Sequence, residues 1–125
     1  MDKELIKIQT FATEKGALRR KDTTSMQNSL NSPAIQKLFE AICCINTSEE
    51  CQQFFEDIGT INELLSFAQR LEVAQMLHDN KTYTEISQKT GASTATISRV
   101  KRALHYGTGG YKLILERQKE KTKEP

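Results

Sequence analysis

Three times in this chain a threonine stands three residues ahead of a glutamate at the mouth of an apolar run: Thr47–Glu50, Thr60–Glu63 and Thr82–Glu85. Each pair is a capping box. The hydroxyl and the carboxylate each accept an N–H that the start of a helix would otherwise leave unpaired. Ser32-Pro33 adds another start, a capping hydroxyl before a proline at the first helical position. Apolar residues then follow at helical spacing. The first run is Ile35, Leu38, Phe39 and Ile42, and the second is Cys51, Phe54, Phe55 and Ile58, stopped by Gly59. The third is longer, with Leu64, Phe67, Ala68, Leu71, Ala74 and Leu77 on one face and Leu65, Val73 and Met76 on a second side. So wide an apolar surface is expected to be covered on most sides, which in a short chain predicts a subunit interface. Asp79-Asn80-Lys81 then reads as a polar break. Few β-branched alternations argue for strands, so an all-α fold is expected.

At 125 residues, with 37% hydrophobic residues and no Trp, the chain is one domain's worth with a thin core. Its longest apolar run, Ala41 to Ile45, is far short of the ~20 residues that span a membrane. Met1-Asp2-Lys3-Glu4 lacks the basic head and apolar stretch of a secretion signal. A cytoplasmic protein without a membrane partner is expected. Charge is segregated along the chain. Residues 32–80 carry only Lys37 and Arg70 against eight acids, whereas residues 81–125 carry ten bases against four acids. No acid occurs between Glu85 and Glu116, a stretch that holds Lys89, Arg99, Lys101, Arg102 and Lys112. A basic surface without acids suits a polyanion, because each neutralised phosphate releases counterions. Residues 1–31 are rich in Ser, Thr, Asn and Gln, with a basic Arg19-Arg20-Lys21 cluster, and read as a flexible arm.

The most informative stretch runs from Thr82 to Tyr106. Thr82 and Glu85 start a helix of about two turns, and Gly91 follows where a left-handed backbone would turn the chain sharply. Ser93 caps a second helix reaching Tyr106, which Gly107 ends. Ile86, Ala92, Ile97 and Val100 sit where two helices crossing at roughly 90–120° must touch, and Ser87 is small enough for close approach. This is the pattern of a helix-turn-helix. On the second helix Ile97, Val100 and Leu104 define the buried side. Ala95, Ser98, Arg99 and Arg102 lie opposite, flanked by Thr94, Thr96 and Lys101. Ala and Thr are poor choices for a merely solvated helix, but their methyls can meet a thymine methyl, and arginine can fork onto guanine or phosphate. Base-edge contacts are expected from Thr94, Ala95, Thr96 and Arg99. Phosphate contacts are expected from Lys89, Ser98, Lys101, Arg102 and Lys112.

Thr90-Gly91-Ala92-Ser93-Thr94-Ala95-Thr96-Ile97-Ser98-Arg99 resembles the helix-turn-helix of the Trp repressor superfamily. Phe54 to Asp57, Thr60 to Glu63, Ala68 to Ala74 and Gly107 to Tyr111 resemble its YerC/YecD branch. The resemblance covers about residues 33–120. It implies a six-helix Trp-repressor-like subunit, an intertwined homodimer and two recognition helices entering successive major grooves of double-stranded DNA, ~34 Å apart. The division expected along the chain is an arm over 1–31, dimerisation helices over 32–79, the helix-turn-helix over 82–106, a last helix over 109–120 and a polar tail over 121–125. The resemblance also implies a ligand pocket near Arg70, Arg99 and Val100. Arg99 matches the family's arginine, but Val100 stands where a tryptophan pocket has glycine, and its side chain would enter the indole's space. Tryptophan is therefore not the expected effector, and a different small molecule, or none, is.

Cys43, Cys44 and Cys51 have no metal-ligand spacing, so neither a metal nor a cofactor is expected. Cys43 and Cys44 would project about 100° apart on a helix, one into the core and one at its periphery. Glu49-Glu50 and Glu56-Asp57 read as capping and solubilising charges, and nothing in the pattern supports an enzyme. Gly107-Thr108-Gly109-Gly110 reads as a hinge between helices. The expected function is a transcriptional regulator, a repressor, that inserts a recognition helix into the major groove as a homodimer. The rival readings are a helix-turn-helix module for protein interaction and a small-metabolite sensor without operator binding.

Overall fold

The computed structural model describes residues 29–123, with six helices and no strand among them. The arm expected over 1–31 lies, apart from its last three residues, outside the described residues. So do the Arg19-Arg20-Lys21 cluster and the end of the polar tail. The helices are α1 (Pro33–Ile42), α2 (Ser48–Ile58), α3 (Ile61–His78), α4 (Tyr83–Thr90), α5 (Thr94–Tyr106) and α6 (Gly110–Lys123). The last helix therefore runs beyond the bound expected for it. The chain divides into two units, Met1–Phe54 and Phe55–Pro125, with the division falling inside α2.

In the first unit, Ser32 Oγ accepts the Ile35 N–H at 3.3 Å to cap α1. Thr47 Oγ1 accepts the Glu50 N–H at 3.1 Å, but Glu50 reaches back one residue further than expected, to the Asn46 N–H at 3.0 Å. No residue of α1 or α2 is buried. Cys43 and Cys44 are both exposed, so neither is the core residue expected of the pair; Cys51 is half-buried. Cys43 keeps helical dihedrals at the C-cap of α1, but neither α1 nor α2 has a buried residue, so there is no core there for either thiol to enter.

In the second unit, α3 packs against α4, α5 and α6, and α5 packs against α4 and α6. The Thr60–Glu63 box opens α3, with Glu63 Oε1 accepting the Thr60 N–H at 2.9 Å and Thr60 Oγ1 accepting the Glu63 N–H at 3.2 Å. Its far end is closed by Asn80 in the left-handed region (φ 62°), with the Asn80 N–H donating to Leu77 O and the Lys81 N–H to Met76 O. Paired bonds of this kind take up the carbonyls that a helix leaves over. The core consists of Val73 and Ala74 from α3, Ile86 from α4, Ala92 from the turn, Ile97, Val100 and Leu104 from α5, and Leu115 from α6. Fully burying each larger aliphatic side chain is worth about 1.5–3 kcal/mol. The face of α3 expected to be covered is only partly so, because Phe67, Ala68 and Leu71 are exposed. The core instead takes Val73 and Ala74, near the end of the helix.

Candidate nucleic-acid interface

The turn between α4 and α5 is fixed from three sides. Gly91 takes the left-handed conformation (φ 73°), and its N–H donates to Ser87 O at 2.9 Å. The Thr90 hydroxyl donates to Ile86 O at 2.7 Å and accepts the Ala92 N–H at 3.1 Å. From α3, Gln69 Nε2 donates to Thr90 O at 3.1 Å across 21 residues of sequence. Beneath the turn Ile86, Ala92, Ile97 and Val100 are all buried, as the helix-turn-helix pattern requires. Ser87 is exposed and contributes its carbonyl to the turn. The entry to α4 is held by the Thr82–Glu85 box, and the Thr82 N–H it binds keeps the Glu85 carboxyl below its ordinary pKa.

Ser93 Oγ accepts the Thr96 N–H at 3.1 Å and sets the start of α5. Thr94, Ala95, Ser98, Arg99, Lys101 and Arg102 are all exposed along this helix. Thr96 is half-buried: its hydroxyl takes a hydrogen bond from Ser93 Oγ at 3.1 Å and it lines a cavity on the α3 side, so it sits at the edge of the exposed face. Lys89 is exposed in the last turn of α4, and Lys112 is exposed in the first turn of α6. Gly107 ends α5 with an extended backbone, and a Cβ there would run into Ala103 O, so only glycine lets the chain leave at this angle.

Sequence reasoning missed two side chains that join these elements. Gln69 is one. The other is Tyr83, the first residue of α4, whose hydroxyl lies 3.4 Å from Ser98 Oγ and whose ring carries the Lys101 ammonium 5.6 Å from its centre. Ser98 and Lys101, expected from sequence to meet phosphate independently, are therefore tied to one ring.

Arg70, Arg99 and Val100 do line one cavity, of about 320 Å³, with Ser66, Gln69, Thr96 and Tyr111. Arg70 also lies over the Phe67 ring at 5.5 Å. Val100 is almost wholly buried, as a member of the core and a wall of this cavity together. The walls carry two guanidinium groups and no carboxylate.

A helical subunit that presents a braced helix-turn-helix, with an acid-free face on its second helix, has the architecture of a DNA-binding regulator. The chain belongs to the Trp repressor family: the family model of the Trp repressor protein matches residues 33–119. That fold is a regulatory DNA-binding one rather than that of an enzyme. Over 93 residues the chain is 52% identical to the uncharacterised protein YerC of Bacillus subtilis (strain 168), covering 74% of this chain and 89% of YerC. A TrpR-like protein from Eubacterium eligens ATCC 27750 has a similar crystal structure, with a TM-score of 0.70 and 53% identity over 73% of this chain and 94% of that one. A candidate Trp repressor from Staphylococcus aureus matches with a TM-score of 0.70 and 49% identity, over 74% of this chain and 92% of that one.

Proposed function

We propose that this chain is a sequence-specific repressor of transcription that acts in the cytoplasm as a homodimer and sets α5 into the major groove of operator DNA. The observation that carries the reading is the exposed face of α5, where Thr94, Ala95, Ser98, Arg99 and Arg102 project from a helix whose opposite side is locked in the core. Thr94, Ala95, Thr96 and Arg99 read base edges. Lys89, Ser98, Lys101, Arg102 and Lys112 meet phosphates. The homodimer is supported by the apolar surface the chain leaves open. Leu65, Phe67, Leu71, Leu113 and Ile114 are exposed, and an apolar groove of about 470 Å³ lies among Leu71, Ala103, Tyr111 and Ile114. A second copy is the partner that covers such surface in the same way on both sides.

The experiment is selection from a randomised duplex pool, followed by titration of the selected and a random duplex with two variants. Enrichment of an inverted repeat with half-sites about one helical turn apart is expected. Arg99→Ala then weakens the selected site by about 1–3 kcal/mol and the random duplex much less, whereas Lys101→Ala weakens both alike. Equal losses for both variants on both duplexes would remove this division of labour.

A second reading, an effector acting through the cavity, is favoured by the pairing of Arg70 and Arg99 in its walls. A small carboxylate seated there would raise the melting temperature of the same samples. Val100 fills the wall from which an indole slot would have to be made, so tryptophan should leave the melting temperature unchanged.

A further inference from the structure

Tyr83 is half-buried at the first position of α4, with its ring packed against the core. A ring placed there needs no surface role, yet two contacts leave it for α5. Its hydroxyl and that of Ser98 are 3.4 Å apart, so one can donate to the other. The proton of the accepting hydroxyl is then left to point outward. The Lys101 ammonium stands 5.6 Å from the ring centre. Ser98 and Lys101 are three residues apart and so are neighbours on the helix surface. Both are exposed, and α5 itself carries no acid.

Two hydroxyls and an ammonium, drawn from two helices, thus lie together, and the nearby Glu85 carboxylate is taken up by the Thr82 N–H. This donor set suits an acceptor-only, negatively charged oxygen, which binds most strongly where a charged donor takes part. The ring adds something that neither α5 residue has alone. A lysine side chain has much rotamer freedom to give up on binding, and a π-face that already holds its ammonium reduces that loss.

We propose that Tyr83, Ser98 and Lys101 form one phosphate-binding cluster across the helix-turn-helix, with Tyr83 as the positioning residue that sets the Lys101 ammonium and the Ser98 hydroxyl toward a phosphate of duplex DNA. The proposal rests on the DNA-binding reading above and adds Tyr83 to the interface.

The test is the affinity of the full chain for a random-sequence duplex between ~50 and ~200 mM salt, where the slope reports how many phosphates are neutralised. Tyr83→Leu keeps apolar packing but removes the π-face and the hydroxyl. It should weaken binding roughly two- to fivefold and move the salt slope toward that of Lys101→Ala, a change of up to about one. Combined with Lys101→Ala, it should lower the slope no further. Tyr83→Phe keeps the ring, and should keep the slope while losing only the hydroxyl's share of affinity. Full affinity and slope in Tyr83→Leu, or losses from Tyr83→Leu and Lys101→Ala that add completely, would overturn the cluster. Circular dichroism on the same samples checks folding. If Tyr83→Leu loses its helical signal, the pair Tyr83→Phe and Ser98→Ala decides: losses that do not add support a shared hydroxyl pair, and losses that add overturn it. A wild-type chain that shows no salt-dependent binding would overturn the DNA-binding reading itself, which is distinct from a wild-type chain that binds while its Tyr83 variants match it.

Discussion

Ile61, Leu65 and Phe67 in the first half of α3 are 70%, 62% and 55% exposed, whereas Val73 and Ala74 in its second half are wholly buried. The two halves are equally apolar and equally helical. What separates them is company. The later half meets the helix-turn-helix, whose Ile86, Ile97 and Val100 complete one small core, while Ile61, Leu65 and Phe67 stand outside that core. Burial therefore follows the contacts that a single chain can make, and apolar content alone does not predict it. The closed core fixes the buried side of α5. Under the proposed function, the open half of α3 is the surface that a second copy would cover.

The largest expected effect tests this contrast directly. Ile97→Ala removes a fully buried side chain at the centre of the core and should cost about 2–5 kcal/mol, measured by chemical denaturation. Leu65→Glu touches a residue that one chain leaves exposed, and on a solvated helix face it would change stability by about 0.5 kcal/mol or less. If a second copy covers that face, Leu65→Glu should instead turn a two-chain sedimenting species into a single chain. A dimer that survives the substitution would mean that the open half of α3 is not the interface.

A smaller effect sharpens the comparison from the packed side. Gly91 has φ 73° and open space where a Cβ would sit, so Gly91→Ala meets no neighbour and costs only the left-handed backbone, about 1–2 kcal/mol. Gly91→Asn should cost less, since asparagine tolerates this region, as Asn80 already does at φ 62°. Hydrogen exchange should show the loss in α4 and α5, with the first turns of α3 unchanged. Equal loosening along all of α3 would mean that the two halves unfold together.

Why some of this was legible in the sequence and some was not has a physical basis. The capping boxes and Gly91 act within a few residues, the four apolar contacts of the helix-turn-helix all fall between Ile86 and Val100, and their spacing alone specifies them. Arg70, Arg99 and Val100 were placed in one cavity only through a resemblance to a family. The rest depends on partners far away in sequence. Gln69 reaches Thr90 and Tyr83 reaches Ser98, and nothing in the local pattern of either residue marks the other end of the bond. The same limit explains α3. Helical periodicity locates an apolar face, but which half of it is covered depends on where α4, α5 and α6 return to pack.

The smallest effect compares the two capping boxes that open α3 and α4. Glu63 and Glu85 both have carboxyl pKa values lowered from the ordinary 4.5, and in each case the leading cause is a backbone N–H, that of Thr60 for Glu63 and that of Thr82 for Glu85. For Glu85 the nearby Lys81 adds a lesser pull in the same direction. A carboxyl whose folded pKa is depressed binds protons more readily in the unfolded chain. Its contribution is therefore complete above about the ordinary value and is lost as pH falls through the lower folded value. Acid should thus loosen the two helix starts together, and Glu63→Gln or Glu85→Gln should each flatten the acid limb of a stability–pH curve by lowering its neutral plateau slightly toward the acid level, because glutamine, like the protonated acid, accepts the capping N–H without a charge. The consequences should differ by position. Protonating Glu85 frees the entry to a helix that sits on the closed core, so the fraying should stay within its first turn. Protonating Glu63 frees the entry to the open half of α3, and fraying there should spread further along the helix. Amide exchange near pH 4 that is equally fast in the first turns of α3 and α4, and stops equally soon in both, would show that the two halves of α3 are supported alike.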